Sequence, residues 1–335
     1  TQLSILNRVP TRRRLVGLPV VRFSDLGIES SLVGCLADQG ITEPFEVQIE
    51  AIPSAMEGRD ICCRAPTGSG KTLAFSLPLI SRTGPAKPKK PTALILTPTR
   101  ELAEQIRNVL DPLAWESKMK VLSVYGGTSY GKQLRGLEKG VEILVACPGR
   151  LLDLLKRKAL SLEDVGIVVL DEADRMADMG FIEPVCKIID QCISEPQMIL
   201  FSATLDHEVS KLVKSYQNDP VRIEVGPKEI SMDSMEHLFW NIKPYRKTEI
   251  AVKSVRRAGR SIIFCRTRSG VDRLSDEMKL DNVPLSSLHG GLNQKQRDRA
   301  MRKFSSSRSM VLVATDVAAR GIDVEGINCV IHYDP

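Results

Sequence analysis

At 335 residues, with 42% hydrophobic and 26% charged side chains, the chain has the make-up of a soluble globular protein long enough for two domains. No apolar run approaches the ~18–20 residues of a membrane span, and residues 1–10 lack the apolar core of a secretory leader, so a cytoplasmic setting is expected. The net charge of +6 favours an anionic partner without naming one.

Residues 1–20, with prolines at 10 and 19 and arginines at 12–14, lack periodicity and read as a mobile arm. From there short β-type runs alternate with helical stretches. Asp60–Arg64, Thr92–Thr97, Val121–Tyr125, Glu142–Ala146, Ile167–Leu170 and Met198–Phe201 are predicted strands. Thr72–Ile80, Arg100–Leu113, Arg150–Arg157 and Phe181–Cys192 are predicted helices between them. Continuous apolar strands alternating with helices imply a parallel sheet covered on both faces. Ser81–Pro91, rich in proline and lysine, is a loop inside this domain.

A boundary is expected between strand-like Val221–Val225 and His237–Ile242. A second series follows, with strands at Ser261–Cys265, Pro284–Leu288, Met310–Ala314 and Asn328–Tyr333, and helices at Val271–Leu280 and Gln294–Phe304. The organisation is therefore an arm at 1–20, one α/β domain at 21–226, a linker at 227–235 and a second α/β domain at 236–335. The eight cysteines form no C-x-x-C pair, and Cys62 and Cys63 are adjacent, so buried, reduced thiols are expected. Histidines 207, 237, 289 and 332 are scattered, which argues against a structural zinc site.

Two stretches carry the chemistry. Ala65-Pro66-Thr67-Gly68-Ser69-Gly70-Lys71-Thr72 follows a strand and opens a helix. It departs from the phosphate-loop formula only at Ala65, where glycine is usual. Gly68 and Gly70 permit a tight turn whose N–H groups face phosphate oxygens. Lys71 can reach the outer phosphates, the Thr72 hydroxyl can serve Mg²⁺, and the helix dipole lies beneath the anion. Asp171-Glu172-Ala173-Asp174 ends another strand, where ligands bind in open α/β sheets. Asp171 is suited to Mg²⁺ and Glu172 to orienting and deprotonating an attacking water, so ATP hydrolysis with Mg²⁺ is the expected chemistry.

With their neighbours these stretches resemble the DEAD-box ATP-dependent RNA helicases of superfamily two, from about Phe23 to Asp334. The resemblance implies two tandem RecA-like domains. Gly40-Ile41-Thr42-Glu43-Pro44-Phe45-Glu46-Val47-Gln48 resembles the adenine-reading element, with Ile41 in place of an aromatic. By that likeness Gln48 bonds adenine and Phe23 stacks on it; by themselves they look like a helix-surface amide and a core aromatic. Ser202-Ala203-Thr204 resembles the segment coupling hydrolysis to strand separation, through Asp174; alone it reads as a helix cap.

Pro98-Thr99-Arg100-Glu101-Leu102-Ala103, Gly126-Gly127 and Pro148-Gly149-Arg150 resemble segments that follow an RNA backbone. Cys147 stands where threonine is usual. In the second half the resemblance assigns RNA contact or domain closure to Thr267, Arg297, Thr315, Asp316, Arg320 and Gly321, and the ATP ribose to Asp323. Gly291 replaces a frequent aspartate.

The family's final arginine-finger stretch normally follows a strand like Val330–Tyr333, and the chain ends at Pro335. The expectation is a fragment, its second domain incomplete at the C-terminus, that binds ATP and turns it over weakly. A bacterial-type monomer acting on single-stranded or short-duplex RNA with little sequence preference is implied. The rival readings are an ATP-gated RNA clamp and a DNA-acting superfamily-two helicase.

Overall fold

Apolar tetrads and amphipathic helices alternate along the backbone, and the strand order they adopt decides where the loops meet. The computed structural model describes residues 21–66, 68–193, 195–226, 236–316, 324 and 326–334. A 3-10 turn at Phe23–Leu26 leads to α1 (Ser30–Asp38), α2 (Glu46–Met56), β1 (Ile61–Arg64), α3 (Lys71–Arg82), β2 (Ala93–Leu96) and α4 (Arg100–Glu116). Next come β3 (Val121–Val124), α5 (Tyr130–Glu138), β4 (Ile143–Ala146), α6 (Pro148–Lys156), β5 (Ile167–Asp171) and α7 (Ala173–Asp178). α8 (Ile182–Ile189), β6 (Gln197–Ser202), α9 (His207–Tyr216) and β7 (Val221–Glu224) complete the first unit.

These strands form a seven-stranded parallel sheet in the order β3-β4-β2-β5-β6-β1-β7. Its residues alternate between two cores, as the pleat requires. Cys63, Ile95, Val145, Val169 and Phe201 pack with α1 to α4 on one face. Cys62, Leu96, Leu144, Leu170 and Leu200 pack with α5 to α9 on the other. Asp60 anchors the start of β1: one carboxylate oxygen accepts from the Met198 N–H at 2.7 Å and the other from the Asn218 N–H at 2.7 Å.

The second unit comprises α10 (Lys247–Ala258), β8 (Ser261–Cys265), α11 (Arg268–Leu280), β9 (Leu285–Leu288), α12 (Gln294–Ser305), β10 (Val311–Thr315) and β11 (Cys329–His332). Its parallel sheet runs β11-β8-β10-β9. The architecture is thus the expected pair of helix-covered parallel sheets.

Three local expectations change. His237–Ile242 forms no strand; Leu238, Phe239 and Trp240 are 62%, 94% and 55% exposed. Aromatic composition favours a strand only where a ladder partner is at hand, and no described strand pairs with it. α11 begins at Arg268, three residues before the predicted start, because the Thr267 hydroxyl caps it by accepting from the Gly270 N–H at 3.0 Å. The eight cysteines are free thiols, but only Cys62, Cys63 and Cys265 are buried, while the other five are half-buried. The arm at 1–20 and the linker at 227–235 lie outside the described residues.

Candidate functional site

The loop after β1 is tied to its neighbour before any ligand arrives. The Ala65 N–H donates to the Ser202 carbonyl at the end of β6 at 3.0 Å, and the Ser69 hydroxyl donates to the Pro66 carbonyl at 2.8 Å. Gly70 ends the loop at φ 89° as the residue before α3, a conformation that glycine adopts without strain. Lys71 is buried, its ammonium donating to the Ala65 carbonyl at 3.2 Å. The lysine thus spans the loop mouth, and Thr72 follows on the first turn of α3. Thr67 lies outside the described residues.

β5 delivers the carboxylates. Asp171 is 3% exposed, and burial pushes its carboxyl up to about 6 against the downward pull of the Lys71 charge. One of its oxygens accepts from the Glu172 N–H at 3.0 Å. Glu172 turns the chain into α7 with φ 55°, a left-handed conformation costly for a non-glycine residue. The Glu172 side chain accepts from the Arg175 guanidinium at 2.6 Å, within the first turn of the same helix.

Asp174 connects this loop to β6. Its N–H donates to the Ser202 hydroxyl at 3.0 Å, and its carboxylate accepts from the Thr204 N–H and hydroxyl at 3.2 and 3.4 Å. The cap of the next helix is Asp206 rather than Thr204, so the Ser202 and Thr204 hydroxyls are directed at the carboxylate loop.

A cavity of about 450 Å³ opens beside the loop, lined among others by Ile41, Thr42, Phe45, Gln48, Gly70 and Thr72. Gln48 is 1% exposed, accepting from the Phe45 N–H at 2.8 Å and donating to the Gly70 carbonyl at 2.9 Å. Phe23, expected to stack on a base, is 1% exposed within the α1–α4 core and is not among the lining residues. Packing beneath α1 and α2 has claimed it. A second hollow of about 530 Å³, against Lys89, Lys158 and Leu160, lies near the starts of β2 and β5 and holds none of these groups.

The remaining segments follow β2, β3 and β4. Pro98 precedes Thr99, whose hydroxyl caps α4 by accepting from the Leu102 N–H at 3.3 Å, leaving Arg100 on its first turn. Gly127, at φ 81°, lies so close to the Arg100 guanidinium that a Cβ there would collide with it. Gly149 and Arg150 open α6. The Arg150 guanidinium stacks 4.0 Å over the Tyr130 ring and donates to Gln133 at 2.9 Å. Burial and then the neighbouring Arg100 charge lower its pKa, so an anion beside it would be stabilising. Tyr130 and Gln133 escape a sequence reading because nothing local marks them as partners of Arg150.

Across to the second unit, Thr267 caps α11 as Thr99 caps α4, with Arg268 in the place of Arg100. Thr315 ends β10 and Asp316 follows it; Arg320, Gly321 and Asp323 lie outside the described residues. Arg297 of α12 reaches the first unit: its Nε and Nη2 both donate to Glu101 Oε1, at 3.1 and 2.7 Å, with the side chains 16% and 20% exposed. Glu101 lies inside the segment whose likeness is to RNA-backbone contacts, and nothing local pairs it with Arg297.

Residues 45–212 match the DEAD/DEAH box helicase family and residues 245–335 match the helicase conserved C-terminal domain. The chain belongs to the DEAD/DEAH box helicases. Among curated members of that family it is similar to DEAD-box ATP-dependent RNA helicase 30 of Arabidopsis thaliana, at 38% identity over 96% of this chain and 56% of that protein. It is also 38% identical to RNA helicase CrhR of Synechocystis, over 93% of this chain and 64% of that one. The chain therefore spans about three-fifths of the length of these relatives.

Among solved structures it superposes on S. cerevisiae Dbp5 bound to RNA and ADP BeF3 with a TM-score of 0.81 at 29% identity, covering 93% of this chain and 80% of that one. A DEAD box protein from Methanococcus jannaschii gives 0.58 at 32% identity, over 94% of this chain and 85% of that one. Within this chain the Arg297–Glu101 ion pair joins α12 of the second unit to α4 of the first.

That ion pair gives a direct expectation. A double-mutant cycle of Glu101→Gln and Arg297→Gln, read on RNA affinity with a non-hydrolysable ATP analogue, should return a coupling of about 1–3 kcal/mol. Zero coupling, with Arg297→Gln alone weakening RNA, would place Arg297 on RNA rather than on Glu101.

Proposed function

We propose that the chain is an RNA-dependent ATPase and helicase whose two domains, 21–226 and 236–335 joined by 227–235, clasp RNA when ATP occupies the first. The observation that carries this is the strand order. Segments suited to the nucleotide follow β5, β6 and β1, three adjacent strands. Segments suited to a phosphate backbone follow β3, β4 and β2, the adjacent three. Asp171-Glu172-Ala173-Asp174 stands at the seam between the two groups and is bonded into Ser202 and Thr204.

In the cycle the loop N–H groups and Lys71 hold the triphosphate, and Glu172 orients and deprotonates the attacking water. Asp174 transmits the state of that loop to β6. Arg100, Arg150 and the N-terminus of α4 hold RNA phosphates, joined from the second domain by the N-terminus of α11. Arg297 draws α12 onto α4 through Glu101. The donor set fits Mg²⁺: a carboxylate at Asp171, kept high in pKa by burial, and the Thr72 hydroxyl are hard oxygen ligands beside the phosphates. Bound Mg²⁺ would neutralise phosphate charge. Because contacts go to phosphate and sugar, little base preference is expected; a monomer working in the cytoplasm is part of the same proposal.

The test is ATPase activity and short-duplex unwinding with single-stranded RNA, single-stranded DNA and no nucleic acid. RNA-selective stimulation, weakening steeply with salt, is expected. Equal stimulation by DNA would favour the DNA-acting reading, and RNA held by an ATP analogue without turnover would favour a clamp.

A further inference from the structure

Phe45 is a large apolar side chain left 50% exposed, and it lies on the cavity beside the phosphate loop. Two features set it apart from a stray surface aromatic. First, it is the residue capping α2, and its side chain makes no capping hydrogen bond. Serine, threonine, aspartate and asparagine stabilise that position by accepting from the first turn, so phenylalanine there costs helix stability. Local structure gives no reason for it.

Second, the ring is held against the nucleotide loop. A Cβ on Gly70 would come within 2.5 Å of the Phe45 ring and 2.7 Å of the Gln48 amide, so ring, amide and loop backbone meet at one point. The Gln48 bonds to the Phe45 N–H and the Gly70 carbonyl fix that geometry. Meanwhile Phe23 is buried in the core.

Resting on the nucleotide reading above, we propose that Phe45 is a specificity-determining residue of this site, the aromatic face against which a purine base packs. The flat ring supplies sequence-tolerant stacking area, greater for a purine than for a pyrimidine. Among the described residues Gln48 Oε1 accepts one hydrogen bond and Nε2 donates one, so the amide has a further lone pair and N–H to offer a base edge. The phosphates bind independently of the ring, through the loop and Lys71.

The test compares wild type, Phe45→Ser, Phe45→Leu and Phe45→Trp by calorimetric titration with Mg-ADP, Mg-UDP and Mg-tripolyphosphate, alongside thermal unfolding. Phe45→Ser and Phe45→Leu should weaken ADP by about 5- to 100-fold and narrow the preference for ADP over UDP. Phe45→Trp should retain ADP, and tripolyphosphate affinity should be the same in all four proteins. Phe45→Ser should also unfold at a higher temperature than wild type, because it restores a cap; a purely structural role would move stability and ADP affinity together. Unchanged ADP affinity in both truncations, or an equal loss for tripolyphosphate, overturns the proposal while leaving the nucleotide site standing. Failure of the wild type to bind any of the three probes overturns the site itself and the role of Phe45 with it.

Discussion

Replacing Glu172 by glutamine should lower RNA-stimulated ATP turnover by ~10²–10⁴-fold while ATP affinity is retained. The amide is isosteric with the carboxylate and can still accept from Arg175, so the left-handed turn at φ 55° and the start of α7 are preserved. What disappears is the capacity to take a proton from water. A kcat loss without a change in KM is the mark of an interaction made only in the transition state. The arginine makes the case sharper. The Arg175 guanidinium, 2.6 Å from one carboxylate oxygen, occupies that oxygen, so Arg175 competes there with the attacking water. Arg175→Ala should therefore alter kcat only while Glu172 is present, and the double variant with Glu172→Gln should be no faster than Glu172→Gln alone. Single-turnover assays on the RNA-bound protein measure both; a Glu172→Gln protein that hydrolyses ATP at the wild-type rate would remove the glutamate from the reaction.

The parts of this site visible in the sequence are those made within one strand–loop–helix unit. Gly68, Gly70, Lys71 and Thr72 are placed by the turn between β1 and α3, and Asp171 and Glu172 by the end of β5, so local order alone delivers them. Asp174, Ser202 and Thr204 follow from β5 and β6 being neighbours, which spacing does not dictate but the family likeness implied. Beyond that reach, tertiary packing decides. The family likeness names Phe23 as the stacking aromatic and passes over Phe45; the first is taken up by the core under α1 and α2, and the second is left on the cavity at the cap of α2. Glu101 and Arg297 are 196 residues apart, and only the meeting of two domains makes them partners. His237–Ile242 shows the opposite error, where apolar content suggests a strand that has no ladder to join.

Asp171→Asn should stabilise the ligand-free protein and abolish ATP turnover together. Burial is the largest cause lifting the Asp171 carboxyl from 3.8 to about 6, with the Lys71 charge opposing it. Folding therefore favours the protonated acid. Below about pH 4 the group is neutral whether the chain is folded or not, and its stabilising contribution is fully present. As pH rises through about 6 that contribution is lost, because the folded chain must then hold a buried anion. That rise corresponds to about 3 kcal/mol for a side chain only 3% exposed. Asparagine keeps an oxygen for the Glu172 N–H and is neutral throughout. The variant should accordingly gain about 3 kcal/mol near pH 8 and almost nothing near pH 4, by urea unfolding of the two proteins at each pH. The gain should vanish when Mg-ATP is present, since only the aspartate draws stability from a bound cation and its phosphates. A variant less stable than wild type near pH 8 would mean that Asp171 is already compensated in the free protein. The carboxylate would then no longer be held at a cost in stability for the sake of its ligand.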